Sequence, residues 1–277
     1  MSLRWALLAP AVLALAILMG GPVLVLTLQS FRPFVPGGIA TGDGLTLFHY
    51  SELLQPAYLF YIWETFRFGL IVAMLSVMAG APLAYAAVRS PRPWVRKGLL
   101  SMLVGMLVMS LIARLYAIEM TWGSHGPLAA VGALTGIEPR SPRYAEVQVA
   151  IGLLHFTLPI AALMMVGTFR ALSPRLEEAA SSLGATRTDV IVSVVLPLAA
   201  PGLVSGFLVA LAMCISNFIV PLLLGRGVVV FTTSLMYTRF ADVGNYPSGA
   251  AIGVVMLVLS FLVVYGFTAL AQRALPK

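Results

Sequence analysis

The sequence predicts an all-α membrane protein of six transmembrane helices with both termini in the cytoplasm. Three observations carry this expectation: a composition too apolar for a water-facing surface, six apolar stretches of spanning length, and an uneven division of basic residues between alternate loops. Of 277 residues, 60% are hydrophobic and 10% charged, with a mean hydropathy of +0.98, whereas about a quarter of a soluble domain is charged. Most of this chain must therefore be solvated by a bilayer, and the whole of 1–277 reads as a single transmembrane domain.

Roughly 20 apolar residues at 1.5 Å each cross the hydrocarbon core. Stretches at about 6–28, 62–88, 98–118, 147–169, 202–224 and 248–271 meet that length. They are too long and too uniformly apolar for the alternating strands of a membrane barrel, so helices are the expected spanning form. The first stretch follows Arg4 in the manner of a signal peptide, but its apolar run exceeds the usual 7–15 residues, so it is read as a retained span. Six spans put both termini on one side. With the termini inside, ten basic residues face inward (Arg4, Arg89, Arg92, Arg96, Lys97, Arg170, Arg175, Arg187, Arg273, Lys277) and five outward (Arg32, Arg140, Arg143, Arg226, Arg239). The positive-inside rule favours that orientation, and the loop 89–97, with four basic residues in nine, weighs most.

The net charge of +7 thus has a membrane explanation, with basic residues holding topology and meeting anionic lipid headgroups. It is scattered over short loops rather than gathered on one face, so no nucleic-acid partner is expected. Cys214 is alone in the fifth stretch, which leaves neither a disulfide nor a thiolate metal site within the chain and reads as a small buried side chain. His49, His125 and His155 have no metal-ligand spacing, and His155 reads as a helix-packing residue. No Gly-rich loop ending in Lys-Ser or Lys-Thr is present. The chain is therefore expected to be no enzyme and to bind no metal or cofactor of its own.

Outside the spans, 29–61 holds Pro33, Pro36, Gly37, Gly38, Gly42 and Gly44 and reads as an irregular outer loop. Residues 119–146 form a second outer loop, with a short interfacial helix expected at about 127–135, and 225–247 form a third. The segment 170–200 is different. Ser173-Pro174 is a helix start, with Ser as N-cap and Pro at the first helical position. Glu177 and Glu178 follow where negative charge suits the helix dipole. Leu176, Ala180 and Leu183 make an apolar face. Gly184 ends the helix in a left-handed conformation, and Thr186 or Thr188 caps a second short helix over about 188–196 that stops near Pro197.

Within that segment Glu178-Ala179-Ala180 is followed after three residues by Gly184, and after nine more by Val194, any residue, Leu196 and Pro197. This spacing resembles the EAA loop of the membrane subunits of bacterial binding-protein-dependent ABC importers, with Val194 where Ile is usual. Further runs resemble a permease subunit of the spermidine/putrescine group: 81–89 (APLAYAAVR), 111–117 (LIARLYA), 218–225 (FIVPLLLG) and 244–251 (GNYPSGAA), together covering about 62–271. The resemblance implies the type I ABC importer permease fold, a permease core over 62–271, and a cytoplasmic coupling loop over 173–197. Its docking residues would be Glu178, Ala179, Ala180, Gly184, Leu196 and Pro197. It also implies a set of partners: a second, similar permease, two ATP-binding subunits carrying ATP and Mg, and a periplasmic or lipid-anchored solute-binding protein. The run at 111–117 is similar to the first of the two permeases of such systems, which implies a heterodimer. Many putrescine-type members have an acidic residue where this chain has Asn217, so the cargo stays open among a polyamine, ferric iron, a phosphonate or another small solute.

Ionisable residues within spans are costly and point to function. Glu64 and Arg67 share a helix face, Arg114 and Tyr116 lie near the end of the third stretch with Glu119 beyond, and Asn217 lies about 22 Å along the fifth at 1.5 Å per residue. These six form a candidate translocation path, read as a polar vestibule in the outer half. Plainer uses stand beside that one: Glu64 and Arg67 pairing only with each other, Arg114 snorkelling to headgroups, and Trp122 as an interfacial anchor. An ATP-independent secondary transporter is the more distant alternative. It expects broken helices and coupling charges near the midplane, and it leaves the 173–197 segment unexplained.

Overall fold

The computed structural model describes residues 10, 12–36, 44–129 and 136–274. Eleven helices are used below: α1 (Val12–Ser30), α2 (Phe48–Leu53), α3 (Pro56–Arg89), α4 (Pro93–Val108), α5 (Leu111–Trp122), α6 (Pro142–Ala171), α7 (Pro174–Ser182), α8 (Arg187–Ile215), α9 (Ile219–Leu224), α10 (Thr232–Ala241) and α11 (Tyr246–Ala274). Among the described residues there is no strand. Helices α1, α3, α6, α8 and α11 are each long and apolar enough to span a bilayer, and α4 with α5 make a further crossing if the pair is one span.

Three expectations need correction. The third stretch is not a straight helix: α4 and α5 meet at 102°. Met109 and Ser110 are both extended, and the Ser110 carbonyl accepts from Arg114 N to start α5. The second short helix does not stop at Pro197 but runs on as α8 to Ile215. Thr186 caps it through a reciprocal bond with Asp189. A π-helical turn over Ile191–Val195, in which Leu196 N donates to the Ile191 carbonyl, precedes the proline. That wider turn takes up the ring's steric demand and the missing N–H, which would otherwise break an α-helical ladder. Finally, the fifth span ends at Ile215 rather than 224, and the loop expected over 225–247 carries α10 as a full helix. The short helix expected at 127–135 lies largely outside the described residues, as do Arg4, Gly37, Gly38, Gly42 and Lys277.

The chain divides into two compact units. In the first (1–63 with 231–261), α1 is exposed and apolar nearly all round, as a lipid-facing helix must be. Its end is fastened to α2 and the segment before it: Ser30 Oγ lies 2.6 Å from Tyr50 Oη, Thr46 N donates to the Phe31 carbonyl at 2.7 Å, and the Phe31 and Tyr50 rings meet at a tilt with centres 5.2 Å apart. Glu52 on α2 is held by Arg239 of α10 at 3.0 Å and by Tyr58 Oη at 2.6 Å. Asn245 Oδ1 accepts from Ser248 N and so caps α11.

In the second unit (64–230 with 262–277), α6 is the central element, packed against α4, α5, α8 and α9. Val149, Leu153, Ala161, Ala162, Met165 and Phe169 are buried along it. Apolar burial from water cannot drive helices together inside lipid, so close approach and interhelical hydrogen bonds must do so. Ser76 Oγ of α3 meets Thr157 Oγ1 of α6 at 2.7 Å, one hydroxyl donating to the other, which in turn donates to a carbonyl of its own helix. Cys214 is buried, as its place in the fifth stretch suggested. Gly202 lets α8 touch α6: a Cβ there would sit 2.0 Å from Thr168 Oγ1 and 2.6 Å from Thr168 Cβ, so rotating the threonine does not relieve the clash.

Gly202→Ala should therefore lower stability in detergent by about 1–3 kcal/mol, the usual cost of overpacking. Gly167→Ala, where an added Cβ meets nothing within 4 Å, should leave thermal unfolding unchanged or slightly raised. Equal unfolding midpoints for the two variants would refute the close α6–α8 contact.

Candidate functional site

The segment singled out by sequence folds as a short helix and a left-handed turn. Pro174 opens α7, although Ser173 makes no side-chain cap. Gly184 has φ +88°, as a left-handed helix end requires, and Leu183 N and Gly184 N return to the Ala179 and Ser181 carbonyls. Glu178 and Ala179 are exposed and Ala180 is half-buried. Leu183 is 89% exposed and Leu176 46%, so these two apolar side chains of the face are largely uncovered among the described residues. Leu196 and Pro197 are set apart from that face by the continuity of α8. Leu196 instead walls an apolar cleft of about 440 Å³ with Val77, Met78, Pro82, Tyr85 and Phe169.

Glu177, the neighbour of Glu178, is turned into the protein. It receives Arg89 Nε at 2.7 Å and Tyr85 Oη at 2.7 Å. Sequence reasoning counted Arg89 as a topology charge and placed it with Tyr85 in the 81–89 run of the resemblance, but gave neither a contact with Glu177. Their partner lies 88 residues away or more, so no local spacing could have announced the contact.

The six path candidates do not form one cluster. Glu64 and Arg67 pair at 2.7 Å, as helix spacing suggested, and Arg67 also reaches Glu146 of α6 at 3.5 Å and lies 5.0 Å from the Phe68 ring centre. A second group joins Glu119 to Arg226 at 3.3 Å and to Gln148 Nε2 at 3.0 Å, and Tyr144 Oη donates to the Trp122 carbonyl at 2.6 Å. Tyr116 is exposed and belongs to neither group. Glu146, Gln148 and Arg226 were not expected from sequence.

Asn217 sits in the break between α8 and α9, 8% exposed, where its Oδ1 accepts from Val220 N at 2.9 Å. With Phe156, Met213, Ser216, Phe218 and Ile219 it lines a cavity of about 180 Å³. Arg114 is a costly group to bury. It is 5% exposed, and neither Nε nor Nη1 finds a partner. Snorkelling does not account for it, since a snorkelling head keeps its water.

A buried guanidinium with no counter-charge destabilises a fold, and replacement by an apolar side chain of similar length is often neutral or stabilising by about 1–4 kcal/mol. Arg114→Met should accordingly keep or raise the unfolding midpoint in detergent. A drop equivalent to about 3 kcal/mol, the usual cost of breaking a buried pair, would show that Arg114 has a structural partner instead.

Comparison with known proteins agrees with this architecture. Residues 70–276 match the family model described as binding-protein-dependent transport system inner membrane component. The spermidine/putrescine transport system permease protein PotB of Haemophilus influenzae is 28% identical over 223 residues, covering 80% of this chain and 78% of that protein. The inner membrane ABC transporter permease protein YdcU of Escherichia coli is 25% identical, covering 86% of this chain and 80% of its own. In fold, the chain is similar to a bacterial alginate ABC transporter solved with its alginate-bound periplasmic protein. The TM-score is 0.79 over 99% of this chain and 96% of that one, at 15% identity.

Proposed function

From the premise that this chain belongs to the family of binding-protein-dependent transport system inner membrane components, and so is a multi-pass inner-membrane permease subunit of an ABC importer, we propose how it couples and what it carries. The observation that carries the coupling reading is the uncovered face of α7. Leu176 and Leu183 stand in solvent beside exposed Glu178 and Ala179, on a helix closed by a left-handed glycine. Apolar side chains outside the bilayer call for a protein partner, the small alanines allow close approach, and Glu178 supplies a charge to pair across the contact. That partner is a separate ATP-binding subunit, two copies of which serve a pair of similar permeases. A periplasmic or lipid-anchored binding protein delivers solute from the other side. This requires 173–197 and both termini to be cytoplasmic, in line with the ten-to-five division of basic residues. A six-crossing count then needs α4 and α5 to cross the bilayer once as a bent pair.

The cargo proposed is a polyamine or a similarly small cationic solute. Support comes from relatives named for spermidine and putrescine over four-fifths of the chain and from the cavity at the α8–α9 break, where two phenylalanines flank Asn217. Aromatic faces attract ammonium groups, and the C-terminal end of a long helix carries partial negative charge. A second reading has its own observation: Arg114, buried without a counter-charge, favours a solute bearing an anionic group, such as a phosphonate or a chelated ferric ion. An ATP-independent carrier does not fit the family.

Two measurements on the purified assembly separate these readings. Glu178→Lys or Gly184→Val should abolish most substrate-stimulated ATP hydrolysis while the permease still folds. The first places like charge at the contact, and the second puts a branched side chain at φ +88°. Wild-type stimulation in both variants would exclude docking through α7. In proteoliposomes, labelled putrescine or spermidine should accumulate and Arg114→Ala should change uptake little. Accumulation of an anionic solute instead, lost in Arg114→Ala, selects the second reading.

A further inference from the structure

Arg89 closes α3, and its guanidinium serves two acceptors at once. Nε donates to Glu177 Oε1 at 2.7 Å, and Nη2 donates to the Leu172 carbonyl at 2.6 Å. One turn earlier on α3, Tyr85 Oη donates to the other carboxylate oxygen of Glu177 at 2.7 Å, and the Tyr85 ring stands edge-on to Phe169 of α6 at 5.6 Å. Both oxygens of Glu177 are thus taken by one helix, and the turn from α6 into α7 is held by the same arginine. The side chains of Arg89 and Glu177 are 16% and 19% exposed, so the pair is shielded enough for loss of one partner to leave a costly charge. The planar fork is needed for this arrangement, since a lysine is a point charge that cannot address two divergent acceptors equally well.

Apart from these bonds α7 is held by two short links, Leu172-Ser173 on one side and 183–186, with its left-handed Gly184, on the other, and by packing on the first turns of α8. A helix held that way swings when pushed, and the push is lost. We propose that Arg89, Glu177 and Tyr85 form an internal strut that makes α7 move as one body with α3 and α6, so that displacement at the docking face reaches the spans. Arg89 and Tyr85 are positioning residues in this scheme and touch neither solute nor ATPase. The strut rests on the reading of α7 as the docking element. It divides two adjacent glutamates between anchoring (Glu177) and docking (Glu178).

The test uses the complete assembly in proteoliposomes, with solute transported per ATP hydrolysed as the readout. In Arg89→Gln and in Glu177→Gln, the ATP-binding subunits should co-purify as in wild type. Transport per ATP should fall at least about fivefold, the low end of coupling between distant sites. Arg89→Lys should be intermediate. Exchanging the charges, Arg89→Glu with Glu177→Arg, should recover at most part of the loss, since a glutamate at 89 restores the ion pair but cannot donate to the Leu172 carbonyl. Wild-type transport per ATP in both single variants overturns the strut. So does loss of the ATP-binding subunits from them, which would assign Glu177 to the docking surface. Failure of docking through α7 shows separately, as unchanged ATPase stimulation in Glu178→Lys.

Discussion

Backbone hydrogen bonding in a medium without water is the constraint on which the rest depends. Every N–H and C=O within the hydrocarbon needs a partner inside the protein, so the chain is helical among its described residues and its departures from helix are informative. At Met109–Ser110 the ladder stops and restarts on the Ser110 carbonyl. At Ser216–Phe218, Ser216 N returns to Ala212, Asn217 N returns to Cys214, and the Asn217 side chain accepts from Val220 N in the first turn of α9. Before Pro197 a π-helical turn keeps the helix whole. Each break is repaired locally, and the second also opens a cavity beside Asn217. The cavity beside Asn217 therefore comes from an interrupted helix, whereas Glu64, Arg67, Arg114 and Glu119 stand on the intact helices α3 and α5.

The same constraint explains how far the sequence could be read. Spanning length and apolarity are local sums, so α1, α3, α6 and α11 are legible to within a few residues at most ends. The bend between α4 and α5 is not, because Met109 and Ser110 are as compatible with a helix interior as their neighbours, with neither Pro nor Gly at the corner. Pro197 misled in the opposite direction: proline marks a helix end when its missing N–H has no remedy, and here the turn before it supplies one. The Glu64–Arg67 pair was legible because three residues on a helix are neighbours in space. Glu119 with Arg226, or Glu52 with Arg239, join residues more than a hundred apart, and nothing local links them.

Arg114 shows where packing and function pull apart. A chain selected only for a stable bundle has no use for a guanidinium held at 5% exposure with two nitrogens unpaired, since the desolvation cost is several kcal/mol per ion by general estimates. Its neighbours do not repeat the pattern. Glu64, Arg67 and Glu119 have partners within 3.3 Å, so ion pairs inside this unit are ordinarily completed. The uncompensated charge is the exception, and stability alone does not account for it.

The two glutamates at the start of the proposed coupling motif show the same separation of duties at one residue's spacing. Neighbouring positions on a helix do not face each other, so a pair that reads as a single acidic feature presents one carboxylate to α3 and leaves the other in solvent. Spacing within the motif can mark only what α7 presents, because presentation is local. What α7 is fastened to is written 88 residues earlier, in Arg89. A helix that couples in the way proposed needs both: a face without an anchor turns under load, and an anchor without a face receives none. In this chain the anchoring half is the one that the structure adds. It also gives the basic 89–97 loop a second use, since its first residue is drawn away from lipid headgroups to a carboxylate and a helix-end carbonyl.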